Sequence, residues 1–271
     1  MILPLLLLAA APQTAPQTAA PAATAAATPR EAGPREAGPP APTDRYAHCM
    51  DLAANTPAAG IEEASHWRLA GGGVSARQCA GVAYANAGQL TAAATEFEAA
   101  ARAAEITKDK RSAGYWAQAG NAWLAAKDAP KARAALDAAL AAGTLTGLDL
   151  GETYLDHARA QVASGELEGA RGDLDQAMAT ASTDPLAWLL SATLARRMDD
   201  LPRAKKDIDE AMRRSGDDAS VQLEAGNIAA LSGDEAGAKT AWKRAAAIAP
   251  DAPAGRSARA ALAQFIPKPA R

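Results

Sequence analysis

The apolar positions of this chain recur in a fixed frame. Ala238, Trp242 and Ala245 are followed by Pro250, and the same three-point frame stands upstream at Ala93/Phe97/Ala100, Ala132/Leu136/Ala139, Ala170/Leu174/Ala177 and Ala204/Ile208/Ala211. Residues three and four apart share one face of an α-helix. Steps between the leading alanines are 39, 38, 34 and 34 residues. A constant frame at a near-constant period predicts a repeat array. A second helical pattern precedes each frame: Tyr84 after Ala80-Gly81; Trp116, Ala119-Gly120 and Trp123; Tyr154 and His157-Ala158; Trp188 and Ser191-Ala192; Ala225-Gly226. The small pair lets a neighbouring helix approach closely, and the large residues fill the space beside it. Between the two patterns lie Ala87-Gly88-Gln89, Ala126-Lys127-Asp128, Ser164-Gly165-Glu166, Met198-Asp199-Asp200 and Ser232-Gly233-Asp234. Gly suits a left-handed helix end, and the residue after it suits the next helix start. Pro130 and Pro202 fall early in a second helix, where a missing N–H costs nothing. The pattern predicts five helical hairpins over residues 74–250.

The flanks read differently. Tyr46, Met50 and Ala53, then Ile61, Ala64 and Trp67, mark a divergent first hairpin or N-terminal cap over 43–73, ended by Gly71-Gly72-Gly73. A last helix, with Ala258, Leu262 and Phe265 inward, predicts a C-terminal capping helix over 251–266 and a tail over 267–271. Residues 1–11 (MILPLLLLAAA) are a short apolar run ending in small residues, as in a secretory signal, although no Lys or Arg precedes the run. Such a run is too short to span a bilayer, which takes about 20 apolar residues. Residues 12–42 repeat Ala-Pro-Gln-Thr and Arg-Glu-Ala-Gly-Pro, with no large apolar side chain, and predict a disordered linker. The expected location is outside the cytoplasm, in the periplasm of a bacterial envelope, or the cytoplasm if the N-terminal run is not a signal.

Composition narrows the function classes. Hydrophobic residues make up 49% of the chain but aromatics only 4%, so the apolar content is mostly Ala and Leu and favours close-packed helices. A net charge of −3 without a basic stripe argues against nucleic acid as a partner.

Two stretches carry a family resemblance. Trp116-x2-Ala119-Gly120-x2-Trp123 leads to Ala132, Leu136 and Ala139; Ala225-Gly226-Asn227 leads to Ala238, Trp242, Ala245 and Pro250. The chain resembles the tetratricopeptide repeat (TPR) over residues 74–250. It departs from the family in two respects: the first three repeats lack the closing Pro, and the first two inter-repeat loops, around Thr107–Ser112 and Thr144–Asp149, are longer. The resemblance implies an all-α, right-handed superhelical array of helix-turn-helix repeats, an α-solenoid. It also implies a concave groove lined by the first helices: Gln78, Val82, Ala117, Asn121, Leu124, Leu155, Arg159, Val162, Leu189, Thr193, Arg196, Leu223 and Asn227. Asn121 and Asn227 match a position where the family commonly turns Asn toward a bound peptide backbone, or are merely consensus helix residues. Arg159 and Arg196 would be two positive charges in an otherwise apolar, neutral groove. The clamp of two lysines and two asparagines used by chaperone-tail-binding relatives is absent.

The remaining chemistry is sparse. Cys49 and Cys79 are the only cysteines and fall in first helices of adjacent units; an even count in an exported chain favours a disulfide, with two buried free thiols as the alternative. Pairing Cys79 with His66 as a protease site lacks an orienting third group. His48, His66 and His157 do not have metal-ligand spacing. Gly233-Asp-Glu-Ala-Gly237-Ala-Lys239-Thr240 lacks the Gly before Lys that a phosphate-binding loop needs. The expected function is therefore a non-enzymatic interaction module without cofactor or metal, binding an unidentified protein or peptide in its groove. The alternative is a self-associating envelope scaffold that uses its convex face and helix ends.

Overall fold

The structure is a computed structural model and describes residues 42–264. The expected signal segment 1–11, nearly all of the linker 12–42, Phe265 and the tail 267–271 lie outside the described residues. Six helical hairpins and one closing helix make up the described part. The first helices are α1 (Pro42–Asn55), α3 (Gly73–Asn86), α5 (Ser112–Ala125), α7 (Gly147–Ser164), α9 (Pro185–Arg197) and α11 (Ala219–Leu231). Their partners are α2 (Pro57–Leu69), α4 (Leu90–Ile106), α6 (Ala129–Ala141), α8 (Leu167–Thr180), α10 (Leu201–Ser215) and α12 (Glu235–Ile248), and α13 (Pro253–Ala263) ends the array. The fold is an all-α solenoid.

Each recurring frame falls on a second helix and is buried there. Phe97, Leu136, Leu174, Ile208 and Trp242 are at most 5% exposed, and the alanines flanking them are sealed from solvent. Their partners are the small residues of the first helices. A methyl group added at Gly81, Gly120 or Gly226 would sit inside the van der Waals envelope of Phe97, Leu136 or Trp242 respectively. The small pair and the large residue of the frame are thus two halves of one contact.

The turns follow the same economy. Gly88, Gly165 and Gly233 have φ of 74°, 84° and 82°, and Lys127 and Asp199 take the same left-handed conformation at 64° and 61°. The side chains of Asp128, Asp200 and Asp234 then accept the backbone N–H three residues on, capping α6, α10 and α12. Pro130 and Pro202 lie in the first turns of α6 and α10. One boundary differs from expectation: α7 starts at Gly147, so Asp149 belongs to its first turn and the long connection is 142–146. An acidic residue favours the positive end of the helix dipole, which explains why the loop yields there.

Three pairs of adjacent first helices pack on one another, α1 on α3, α5 on α7 and α9 on α11, and the closing helix α13 packs on α11. No two second helices do so to that extent among the described residues. The first helices thus lie nearer to one another than the second helices do. The disulfide joins Cys49 of α1 to Cys79 of α3, with Cα atoms 6.1 Å apart and both residues sealed from solvent.

Candidate partner-binding groove

The inner face begins beside the disulfide. Gln78 on α3 accepts at Oε1 from the hydroxyls of Tyr46 on α1 (3.0 Å) and Tyr115 on α5 (3.4 Å), so one amide ties three successive first helices. Burial pushes both phenols above their ordinary pKa, against the nearby positive charge of Arg111. Val82, Leu124 and Val162, expected at the groove, are half-buried and keep some apolar surface on the first helices. Leu155 and Leu189, by contrast, are 3% and 7% exposed and serve the core, leaving little surface for a partner. Thr193 returns its hydroxyl to the Leu189 carbonyl at 2.9 Å.

The two groove arginines do not stand alone, as the sequence suggested. Arg159 donates from Nη1 to Asp156 Oδ1 at 2.7 Å, and the other oxygen of that carboxylate accepts from Asn121 Nδ2 at 2.6 Å. Asn121 and Asp156 lie on α5 and α7, so the bond crosses from one hairpin to the next. Arg196 grips Glu224 with two bonds, Nε to Oε1 at 2.6 Å and Nη2 to Oε2 at 3.2 Å. Asn227 donates to Glu224 Oε2 at 3.1 Å and accepts from the Trp242 indole N–H at 3.1 Å. The Arg159 and Arg196 side chains are 31% and 24% exposed, and charge withdrawn that far from water needs a counter-charge. Each arginine and asparagine singled out in the sequence is therefore one arm of a carboxylate-centred cluster.

Asp156 and Glu224 escaped the sequence reading, although a signal was there. Asp156 stands three residues before Arg159, and Glu224 three before Asn227, a spacing that sets side chains together on a helix. Burial raises the Asp156 carboxyl pKa, against the lowering by Arg159 and Asn121. Glu152, one turn earlier, is also raised, first by burial and then by the negative charges of Asp149, Asp156 and Asp184.

Among the described residues no group of three or more His, Cys, Asp and Glu side chains is arranged to hold a metal ion. No described helix is long and apolar enough to cross a membrane.

No protein-family model and no curated protein sequence matches the chain. Solved structures do. PilW, a type IV pilus biogenesis factor, aligns with a TM-score of 0.66 over 80% of this chain and 97% of its own, at 16% identity. PilF of Pseudomonas aeruginosa aligns at 0.64 over 81% and 99%, at 13% identity. YrrB, described as a TPR protein with an unusual peptide-binding site, aligns at 0.53 over 76% and 99%, at 17% identity. With its hairpins, its glycine-to-large-residue contacts and these neighbours, the chain has the tetratricopeptide-repeat fold.

Proposed function

We propose that the chain is a non-enzymatic protein-interaction module that receives a partner segment along its first-helix groove. The observation that carries this reading is the alternation of half-buried apolar residues (Val82, Leu124, Val162) with the clusters at Arg159–Asp156–Asn121 and Arg196–Glu224–Asn227. Apolar surface supplies affinity, while guanidinium donors not spent on the carboxylates are free to orient a peptide backbone or side chain. The peptide-binding site named for YrrB supports the reading. We further read residues 1–11 as an export signal, 12–42 as a tether and the working location as the periplasm, supported by the buried disulfide, which suits an oxidising compartment.

A photo-crosslinking residue at Val162, compared with one at the exposed Lys243 of α12, tests the groove in cells of the source organism. The expected result is a discrete adduct from Val162 alone, reduced by about tenfold when Arg159→Glu leaves the carboxylates unopposed, a loss of roughly 1.4 kcal/mol. Equal capture by the variant at unchanged helicity would remove the groove from consideration.

A second reading rests on Leu69 and Ile106, each 85% exposed at the end of a second helix, and on Leu148, 57% exposed at the start of α7. Bare aliphatic residues on one edge of the array suit self-association. Light scattering across a concentration series separates the readings: a strict monomer throughout argues against a scaffold.

A further inference from the structure

Midway along the array, apolar contact between paired helices gives way to a polar seam. The first-helix residue preceding the close-contact position is Ala80, Ala119 or Ala225 in three hairpins, but His157 in α7 and Ser191 in α9. Both replacements meet a carboxylate on their second helix. His157 bonds Asp173 of α8, and Ser191 bonds Asp207 of α10.

His157 reaches further than Ser191 can. The residue is 7% exposed, with Nδ1 2.7 Å from Asp173 Oδ2 and Nε2 3.1 Å from Asp137 Oδ1 on α6. The other groups facing it are Gln161 on its own helix, which donates to Asp173 Oδ2 at 2.8 Å, and Arg133 on α6. Arg133 in turn pairs with Glu166 in the α7–α8 turn. A protonated imidazolium donates from Nδ1 to Asp173 and is drawn to the Asp137 carboxylate as an ion pair, without an aligned hydrogen bond at Nε2; a neutral ring loses the attraction to Asp137. Burial opposes the charge and Arg133 repels it, but the Asp173 bond and the charges of Asp173 and Asp137 outweigh them, raising the pKa above its ordinary 6.5.

The large core of α4, α5 and α6 takes only Ala160 from α7 among its buried members. The chain crosses the joint between α6 and α7 through the long connection 142–146. Asp156, next in sequence to His157, holds the groove side of the same joint through Asn121.

We propose that His157 is a proton-dependent brace: protonated, it ties α6 to α8 through Asp137 and Asp173; deprotonated, it loosens residues 42–141 from residues 147–264. The brace is complete below the ordinary histidine value and is lost as pH rises through the raised one, the proton leaving to solvent.

Spin labels on Thr91→Cys of α4 and Lys243→Cys of α12, both exposed, report the distance across the joint in the otherwise intact protein. The distance is read at about pH 5.5 and at about pH 9, on either side of the ordinary histidine value. The labelled protein is expected to show a narrow distance distribution at the lower pH and a shifted, broader one at the higher. Asp137→Ala, at a residue whose side chain is 56% exposed, removes one counter-charge without disturbing the core. It is expected to give the broad distribution at both values. A pH-invariant parent, or an Asp137→Ala protein that keeps the parent's full response, would overturn the proposal. His157→Gln, if it folds, must likewise be pH-invariant.

Discussion

Lys127 shows how the turns are made with unequal materials. It holds φ of 64° where Gly88, Gly165 and Gly233 stand in other hairpins, and a side chain there crowds the following carbonyl. Lys127→Gly should therefore stabilise the α5–α6 hairpin by about 0.5–1 kcal/mol, the strain relieved less the backbone freedom glycine must lose. A rise in Tm by thermal circular dichroism checks it, and an unchanged or lower Tm contradicts it. At this scale the sequence was legible where one residue type has one purpose. Gly120 and Leu136 read as halves of a contact because nothing larger than glycine fits. It was opaque where purposes overlap. Asp156 and Glu224 look like ordinary helix-surface acids until the fold brings Asn121 and Arg196 across from neighbouring hairpins.

Among the elements, the second helices were the most legible, because burial on one face imposes the Ala–large–Ala frame directly. The first helices share their burial between their own partner and the next hairpin, so their pattern is broader, and Leu155 and Leu189, expected at the groove, are buried. The disulfide acts at this scale too. It closes a 30-residue span and joins α1 to α3, adding about 3–4 kcal/mol in the chain-entropy model. Because hairpins contact only their neighbours, the loss should stay local. Hydrogen exchange on Cys49→Ala/Cys79→Ala is expected to show faster exchange in α1 and α2, with α9 to α12 unchanged. Uniform acceleration along the array would show instead that the solenoid unfolds as one unit.

For the whole molecule, period alone was enough to indicate the architecture, since a repeat multiplies one weak signal by its copies. What the period conceals is where copies differ. His157 and Ser191 interrupt a row of alanines, and only the fold shows that Asp173 and Asp207 answer them. A partner that spans Asn121 to Arg159 would rest on both sides of the joint His157 braces, so its affinity would follow the protonation of a residue it never touches.

The bond between Cys49 and Cys79 also gives the array a direction under tension. An array whose units touch only their neighbours sheds them one at a time when stretched, and α13 leaves the far end with no covalent lock among the described residues. At the near end, the span between the cysteines, 30 positions apart, cannot be paid out at all; it withholds roughly 100 Å of extended chain at about 3.3–3.6 Å per residue. Pulled from both termini, the molecule would lengthen by spooling from its C-terminal side, and a reductant would restore the missing length.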